Sequence, residues 1–345
     1  MPQNIDASDQ EWLELYSAAI EFKNAKCWDW MDESDMFGVI NPKNGETGYC
    51  CIMGSTGEHY AIAAYLGTAG LEGLLNMLSG DAKIESIDTL FIRNCLQCSF
   101  ENRDYLAPED LKTIKALGLK FRGRNEWPFF RHFEPGLFPW FLNSDQVCFL
   151  THVLRQTLQV ALRCKENPAI LKHKNPLNFL IRSPNPDKNG QLSWSDKYHT
   201  AKPVKEKYVS FVFTNEILAR KIKSLKPKKD LVLEVETFYI PIPVQEQGRP
   251  FYPKTCMFIN HADSMIVCHE MFQNLEKEGY KCIKMLSELI LKTGLKPLLL
   301  LVARDETYHL FSEVCVQLGI KLKMTDRLVF LEQARQSIVE YFQNS

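Results

Sequence analysis

The 345-residue chain has no apolar stretch long enough to cross a bilayer. A transmembrane helix needs about 20 consecutive apolar residues, whereas the longest apolar run, Leu295–Ala303, is short and contains Lys296 and Pro297. The first ten residues, MPQNIDASDQ, lack the basic and apolar regions of a secretory signal peptide. By elimination, the sequence predicts a cytoplasmic protein that has no membrane partner.

The commonest nucleotide and hydrolase motifs are also missing: GxxxxGK[ST], GxGxxG, GxSxG and HExxH do not occur. No cofactor is therefore indicated. The 11 cysteines are odd in number and scattered through apolar patterns, which is typical of buried free thiols. Cys95 and Cys98 form a CxxC, and with Cys50 and Cys51 they could make a four-thiolate zinc site. No second CxxC follows, so free thiols are favoured and no metal ligands are assigned.

Charge is distributed unevenly although the net charge is only −1. Residues 1–162 contain 13 Lys and Arg against 22 Asp and Glu, residues 163–229 contain 16 against 5, and residues 230–345 contain 12 against 15. The middle of the chain is thus a basic segment between acidic flanks. Its cations could bind phosphates or could simply coat a solvated surface. Those considered are Lys202, Lys205, Lys207, Arg220, Lys221, Lys223, Lys226, Lys228 and Lys229.

Hydrophobic periodicity predicts an α/β (α+β) protein with mixed sheets and helices. The predicted elements include helices near Asp9–Ala25 and Tyr280–Thr293 and strands at Thr89–Arg93 and Tyr208–Phe213. We divide the chain into an N-terminal α/β domain (1–166), a basic connecting segment with a hairpin and a helix (167–229) and a C-terminal α/β domain (230–345). The C-terminal elements follow the order βββ-α-β-α-β-α, which resembles the ribonuclease H-like fold. A shared topology does not carry a shared function.

Four acidic residues of the C-terminal domain could hold divalent metal for phosphoryl transfer, since such sites need converging carboxylates. Glu234 and Glu236 alternate onto one face of the opening strand, and Asp305 and Asp326 follow the fourth and fifth strands. An equally simple reading is that the two aspartates cap the helices that follow them.

The segment Lys120–Asn143 is rich in aromatic residues, proline and arginine and is predicted to be a structured loop. Arginines between exposed rings suit the binding of anions or bases. Alternatively, the rings form the loop's own core and the arginines pair with nearby carboxylates. The candidate binding residues are Arg122, Arg124, Trp127, Arg131 and Trp140.

Several sequence blocks are distinctive. They are Trp28-Asp-Trp-Met31, Phe121-Arg-Gly123 and Pro135-Gly-Leu-Phe-Pro-Trp140 in the N-terminal part, and a C-terminal region from Arg249-Pro250 through Leu318-Gly-Ile320. Together they resemble a family of uncharacterised bacterial proteins. The resemblance covers most of the chain and implies two domains of unknown function. It implies no activity and no active-site residues.

Two functional hypotheses follow. The first is a non-catalytic binding or adaptor protein that recognises a protein or a nucleic acid through the aromatic–arginine segment and the basic segment. The alternative is a metal-dependent nuclease or related phosphoryl-transfer enzyme that uses Glu234, Glu236, Asp305 and Asp326, with divalent metal as its cofactor. The incomplete catalytic set favours the first hypothesis.

Overall fold

The computed structural model describes residues 7–79, 91–172, 174–202, 208–246 and 248–343. The chain divides into two compact units, Met1–Val204 and Lys205–Ser345. Each unit contains a mixed β-sheet with helices, which confirms the predicted α/β class. Within the described residues, no helix combines the length and the apolar character that a membrane span requires.

The first unit contains a seven-stranded sheet in the order β5-β4-β3-β2-β1-β6-β7. Strands β1 and β6 pair in parallel, and the other neighbouring pairs are antiparallel. Its helices and strands are α1 (Asp9–Ala25), β1 (Phe37–Ile40), β2 (Thr47–Met53), β3 (Ala61–Leu66), α2 (Gly67–Ser79), β4 (Cys95–Glu101), α3 (Pro108–Ala116), β5 (Trp127–Phe133), α4 (Ser144–Glu166), β6 (Asn178–Pro186) and β7 (Leu192–Thr200).

Both faces of this sheet are covered by apolar side chains. The long helices α1 and α4 pack together on one face, where Leu15, Phe22 and Leu154 are fully buried. On the other face, α2 contributes Leu71 and Leu74 to a smaller cluster. The sheet is therefore a central layer, as expected when alternating strand residues are apolar on both sides.

The N-terminus of α1 is fixed by a capping box. The Ser8 hydroxyl accepts from the backbone of Glu11, and the Glu11 carboxylate accepts the Ser8 backbone N–H at 2.6 Å. Glu11 also accepts from Ser144 at 2.8 Å and from Cys148 at 3.1 Å, both in α4. The Ser8 backbone bond, followed by those from Cys148 and Ser144, lowers the pKa of Glu11 to about 2.

We expect Glu11→Gln to lower the free energy of unfolding by about 1 kcal/mol at pH 7, the usual scale for a helix cap. Because the folded pKa of Glu11 lies below its ordinary value of 4.5, its contribution is present above pH 4.5 and is lost as the pH falls towards 2. Urea denaturation at pH 7 and pH 3 measures this difference. Glu21→Gln, an exposed change in the same helix, is the control, and an equal loss at both pH values would contradict the prediction.

The second unit contains a five-stranded sheet in the order β10-β9-β8-β11-β12. Strands β8, β9 and β10 form an antiparallel meander, and β8, β11 and β12 run parallel. Its elements are α5 (Glu216–Ser224), β8 (Pro227–Tyr239), β9 (Lys254–Asn260), β10 (Ile266–Phe272), α6 (Leu275–Glu278), α7 (Tyr280–Thr293), β11 (Lys296–Val302), α8 (Asp305–Leu318), β12 (Lys321–Met324) and α9 (Val329–Gln343).

Two segments differ from their sequence predictions. The segment Lys120–Asn143 is not wholly a loop, because β5 runs through it and pairs with β4. The strand predicted at Tyr208–Phe213 is not formed: the backbone N–H of Phe213 donates to the side chain of Gln317 at 2.7 Å instead of to a neighbouring strand. The hydrogen bond that a neighbouring strand would accept from Phe213 is accepted by the Gln317 side chain.

Candidate functional site

Exposed lysines gather where the parallel strands of the second unit begin. Parallel strands start at the same edge of a sheet, and the register places Lys296 of β11 opposite Pro227 of β8. The last turn of α5 precedes β8, and the end of α7 precedes β11. We call this set the lysine edge; its members are Lys221, Lys223, Lys226, Lys228, Lys229, Lys292 and Lys321, all of them exposed.

One further lysine lies beneath this edge. Lys296 is only 3% exposed, and its ammonium donates to the backbone carbonyl of Lys223 at 2.8 Å. Burial, and then the positive charge of Lys223, lowers the pKa of Lys296. A carboxylate does lie nearby, since Asp230 is 3.7 Å from Lys228, but both of those side chains are well exposed. The local charge is therefore predominantly positive.

Glu236, a candidate metal ligand, is buried and already bonded. Its carboxylate accepts from the backbone N–H groups of Thr237 at 3.2 Å and Ala303 at 3.3 Å, and from the Thr307 hydroxyl. Arg304 lies 3.9 Å away. Burial raises the pKa of Glu236, while Arg304, Thr307 and the backbone donors oppose that rise. These contacts tie β8 to the start of α8.

Glu234 is likewise enclosed, at 1% exposure. One oxygen accepts the backbone N–H of Leu331 in the first turn of α9 at 3.0 Å, and the other lies 2.8 Å from Nδ1 of His261. A carboxylate at a helix N-terminus accepts a hydrogen bond from an otherwise unpaired N–H group, and its negative charge interacts favourably with the helix dipole. This geometry explains Glu234 as a link between β8, β9 and α9.

The two candidate aspartates are exposed and are not used as caps. Asp305 is the first residue of α8, where Arg304 occupies the N-cap position and makes no capping hydrogen bond with its side chain. Asp326 lies in the bend before α9. The N-cap role considered for Asp305 is therefore wrong in position. Among the described residues, no group of three or more His, Cys, Asp and Glu side chains is arranged to hold a metal ion.

Arg131, a candidate binding residue, is only 6% exposed. Its guanidinium donates to both carboxylate oxygens of Asp110, at 2.9 and 2.7 Å, and to the backbone carbonyl of Phe130 at 2.7 Å. The same group lies 3.9 Å from the ring centroid of Phe129 and 4.4 Å from that of Phe141. Its hydrogen bonds and ring contacts are thus made within the protein.

The other four candidates of the aromatic–arginine segment are less buried than Arg131. Trp127 is half-buried against Phe121, with ring centroids 5.8 Å apart. Trp140 is half-buried, and its backbone bridges to His132 of β5. Arg122 and Arg124 are exposed.

The four cysteines of the conceivable zinc site lie on opposite faces of the first sheet. Cys50 and Cys98 belong to the cluster beneath α1 and α4, whereas Cys51 and Cys95 belong to the cluster beneath α2. Side chains three positions apart in a strand point to opposite faces. The CxxC spacing on β4 therefore separates its thiols, and all four residues are buried.

An open cleft of about 450 Å³ in the first unit is lined by Arg155, Arg182 and Trp194. Arg182 donates to Asp196 at 2.6 Å and to Gln156 at 2.9 Å. Arg155 lies 3.3 Å from Glu14. Since both arginines are already paired with carboxylates, the cleft is a weaker candidate for binding an anion than the lysine edge.

Sequence reasoning missed part of the lysine edge. Lys292, Lys296 and Lys321 lie in the region of net charge −3, so composition could not connect them with the basic segment. In the structure, Lys296 and Lys321 each begin a strand of the parallel pair β11 and β12. Lys205 and Lys207 of the basic segment lie outside the described residues.

Comparison with known proteins places the chain among domains that have no assigned function. Residues 12–182 match a family model described as "Domain of unknown function (DUF7309)", and residues 218–339 match "Domain of unknown function (DUF6930)". No curated protein matches the chain. A solved simian T-cell lymphotropic virus intasome, in complex with PP2A regulatory subunit B56 gamma, is 12% identical over 35% of this chain. The chain spans 44% of that solved chain with a TM-score of 0.26, a likeness too low to carry an argument. The protein thus pairs two domains of unknown function, one in its N-terminal region and one in its C-terminal region.

Proposed function

We propose that this chain is a non-catalytic nucleic-acid-binding protein that uses the lysine edge to contact phosphates. The observation that carries the proposal is that seven exposed lysines from separate segments lie at or next to the starts of the parallel strands β8, β11 and β12. Phosphate neutralisation by lysine and arginine supplies most of the affinity in sequence-independent binding. Because ammonium groups act as point charges without a fixed hydrogen-bonding fork, we expect little sequence selectivity.

A simpler explanation covers only part of this set. Lysines are favoured in the last turn of a helix, where they offset the helix dipole. That accounts for Lys221 and Lys223 of α5 and for Lys292 of α7. Lys226, Lys228, Lys229 and Lys321 lie outside helices, so the dipole does not explain them.

Replacing Lys226, Lys228 and Lys229 together with glutamine is expected to weaken binding to DNA or RNA and to flatten its salt dependence. Each lost phosphate contact removes about 0.9 from the slope of log K against log salt for duplex DNA, and about 0.7 for single strands. For the triple variant, the slope of log K against log salt should therefore be shallower by about two to three. Fluorescence anisotropy with labelled oligonucleotides between about 50 and 200 mM salt measures both effects.

The matched control is the triple change of Lys112, Lys115 and Lys120 to glutamine, which removes the same charge from exposed positions of the first unit. This control should bind as the unchanged protein does. An equal loss in both triple variants would indicate a net-charge effect without a site. If the unchanged protein does not bind DNA or RNA at low salt, the proposal is overturned. The remaining partner class that the sequence allows is then a protein.

The metal-dependent alternative has one supporting observation. The sheet order β10-β9-β8-β11-β12 and the element order of the second unit agree with a ribonuclease H-like fold, which stays a proposal. The contacts of Glu234 and Glu236 weigh against this use, because both carboxylates are occupied by internal donors. Under this alternative, divalent metal would be required.

A further inference from the structure

The cleft beside Trp194 in the first unit differs in chemistry from the lysine edge. Its volume of about 450 Å³ lies within the range of small-ligand sites, and α4, β6 and β7 supply most of its lining. Its two arginines are paired with carboxylates, Arg182 with Asp196 and Arg155 with Glu14. We call this site the tryptophan cleft. Since its cations are paired, recognition there depends more on ring stacking and hydrogen bonding than on charge.

Gln156 is a buried polar residue of the tryptophan cleft, at 7% exposure. Its Oε1 accepts from Nε of Arg182 at 2.9 Å. Because a guanidinium can only donate, this contact determines which branch of the Gln156 amide is the oxygen and which is the nitrogen. The described part of the chain provides no acceptor for Nε2 of Gln156. A ligand atom that accepts from Nε2 would therefore complete the hydrogen bonding of a nearly buried amide.

Trp194 supplies an aromatic surface beside this amide. Its indole is half-buried and packs against the core cluster beneath α1 and α4. The ring of His152 lies 5.7 Å from it between centroids, at an interplanar angle of 49°. Strand β7, which carries Trp194, is the last strand at its end of the seven-stranded sheet. A partly exposed indole that is held by packing offers a fixed surface on which a planar ring can stack.

We propose that the tryptophan cleft binds one unpaired nucleobase, which stacks on the indole of Trp194 and accepts a hydrogen bond from Nε2 of Gln156. Every base has a planar face and at least one carbonyl oxygen or ring nitrogen that accepts. In a duplex, neighbouring bases cover that face, so the base has to be unpaired. Arg155 is available for the attached phosphate, because its pairing with Glu14 is exposed and such pairs contribute little free energy.

A sugar ring is the other planar-face ligand that an indole could bind, and it suits this cleft less well. A sugar carries a hydroxyl group on most of its carbons, and each hydroxyl needs a hydrogen-bonding partner when it is buried. The buried lining offers the amide of Gln156, whose oxygen is already bonded to Arg182. A base, which needs one donor beside its ring, matches this lining more closely.

The base can belong to a free nucleotide or to a single strand, and the chemistry of recognition is the same for both. The inference goes beyond the lysine edge and does not rest on it, because no lysine of that edge lines the tryptophan cleft. If the lysine edge binds no phosphates, binding of a base in the cleft is unaffected. Failure of one proposal can therefore be told apart from failure of the other.

Fluorescence anisotropy with the full chain compares a labelled single strand with an abasic strand of the same length and charge. Both strands have the same phosphates, so a difference in affinity reports the bases. The unchanged protein is expected to bind the strand with bases about 5- to 150-fold more tightly, the range for stacking of one base. Trp194→Ala should abolish this difference, and Trp194→Phe should keep most of it. Tyr198→Ala, which removes an exposed ring from the same strand, is the control and should keep all of it.

The variant Gln156→Glu tests the hydrogen bond. Glutamate keeps an acceptor for Nε of Arg182 but replaces the amide donor with a second acceptor. We expect the strand with bases to bind about tenfold more weakly, while the abasic strand binds as before. Gln191→Glu introduces the same charge at an exposed position of the turn before β7 and should leave both affinities unchanged. Circular dichroism checks that each variant is folded.

Titration calorimetry with AMP and UMP identifies the source of the base. Binding of a mononucleotide that Trp194→Ala abolishes would assign a free nucleotide as the ligand. Base-dependent binding of the strand alone would assign a single strand, and either result supports the proposal. The proposal is overturned if the unchanged protein binds the abasic strand equally well and binds neither mononucleotide. It is also overturned if Trp194→Ala behaves as Tyr198→Ala does.

Discussion

Replacing Arg131 with methionine is expected to lower the free energy of unfolding of the first unit by about 3–5 kcal/mol, because it leaves a nearly buried carboxylate without its partner. Asp110 accepts two hydrogen bonds from Arg131, and its side chain is 12% exposed. Methionine keeps much of the apolar contact with Phe129 and Phe141, so the charge pair should dominate the loss. Urea denaturation followed by circular dichroism measures the change.

The exposed arginines of the same segment provide the controls. Arg122→Gln and Arg124→Gln should each change the free energy of unfolding by no more than about 0.5 kcal/mol, as is usual for surface positions. A double-mutant cycle with Asp110→Asn separates the pair from the other contacts of Arg131. A loss below about 1 kcal/mol in Arg131→Met would contradict the structural role and would restore Arg131 as a candidate binding residue.

Local sequence signals predicted the helices well. The predicted helices at Asp9–Ala25 and Tyr280–Thr293 have those bounds in the structure. Ser8 supplies the cap of the first, and Gly294 ends the second with a φ of 68°. The residues that begin and end a helix lie within a few positions of its ends, so helix bounds can be predicted without knowledge of the fold.

Strands that depend on distant partners were harder to predict. Strand β5 lies in a segment whose prolines and aromatic residues are typical of a loop, and its identity comes from pairing with β4. A strand was also expected at Thr89–Arg93. Thr89 and Leu90 lie outside the described residues, and the next strand begins at Cys95. Pairing across the sheet decides such cases, and local composition does not encode it.

The candidate sites show the same limit. The sequence placed Glu234 and Glu236 on one strand, but it could not show that Leu331 and Thr307 donate to them, because these partners lie 97 and 71 residues away. Similarly, the pairing of Arg131 with Asp110 depends on how β5 packs against α3. Residue type indicated which groups can act chemically, whereas the fold determined which of them are already occupied.

Replacing Glu236 with alanine is expected to lower the free energy of unfolding of the second unit by about 3 kcal/mol. The change leaves the backbone N–H groups of Thr237 and Ala303 without their acceptor, and it removes the partner of the Thr307 hydroxyl. Thermal and urea denaturation measure the loss. Glu332→Ala, which removes a more exposed carboxylate paired with Arg327, should cost no more than about 1 kcal/mol.

The pH dependence of stability, compared between the unchanged protein and Glu236→Gln, gives a second test of the structural role of Glu236. Because burial raises the folded pKa of Glu236 above its ordinary value of 4.5, the folded state binds the proton more tightly than the unfolded state does. Its contribution is fully present below pH 4.5 and is lost as the pH rises through the folded pKa. Glutamine cannot titrate, so the stability of the unchanged protein relative to Glu236→Gln should fall as the pH is raised from 4 to 8.

Magnesium separates the two roles that Glu236 can have. A carboxylate that holds a metal ion gives the folded state a ligand-dependent stability, so added Mg²⁺ would raise the melting temperature of the unchanged protein but not that of Glu236→Gln. A carboxylate occupied by internal donors gives no such difference, which is the result we expect from its bonds to Thr237, Ala303 and Thr307. A magnesium-dependent rise confined to the unchanged protein would instead favour phosphoryl transfer, and hydrolysis of labelled DNA and RNA would then be the next measurement.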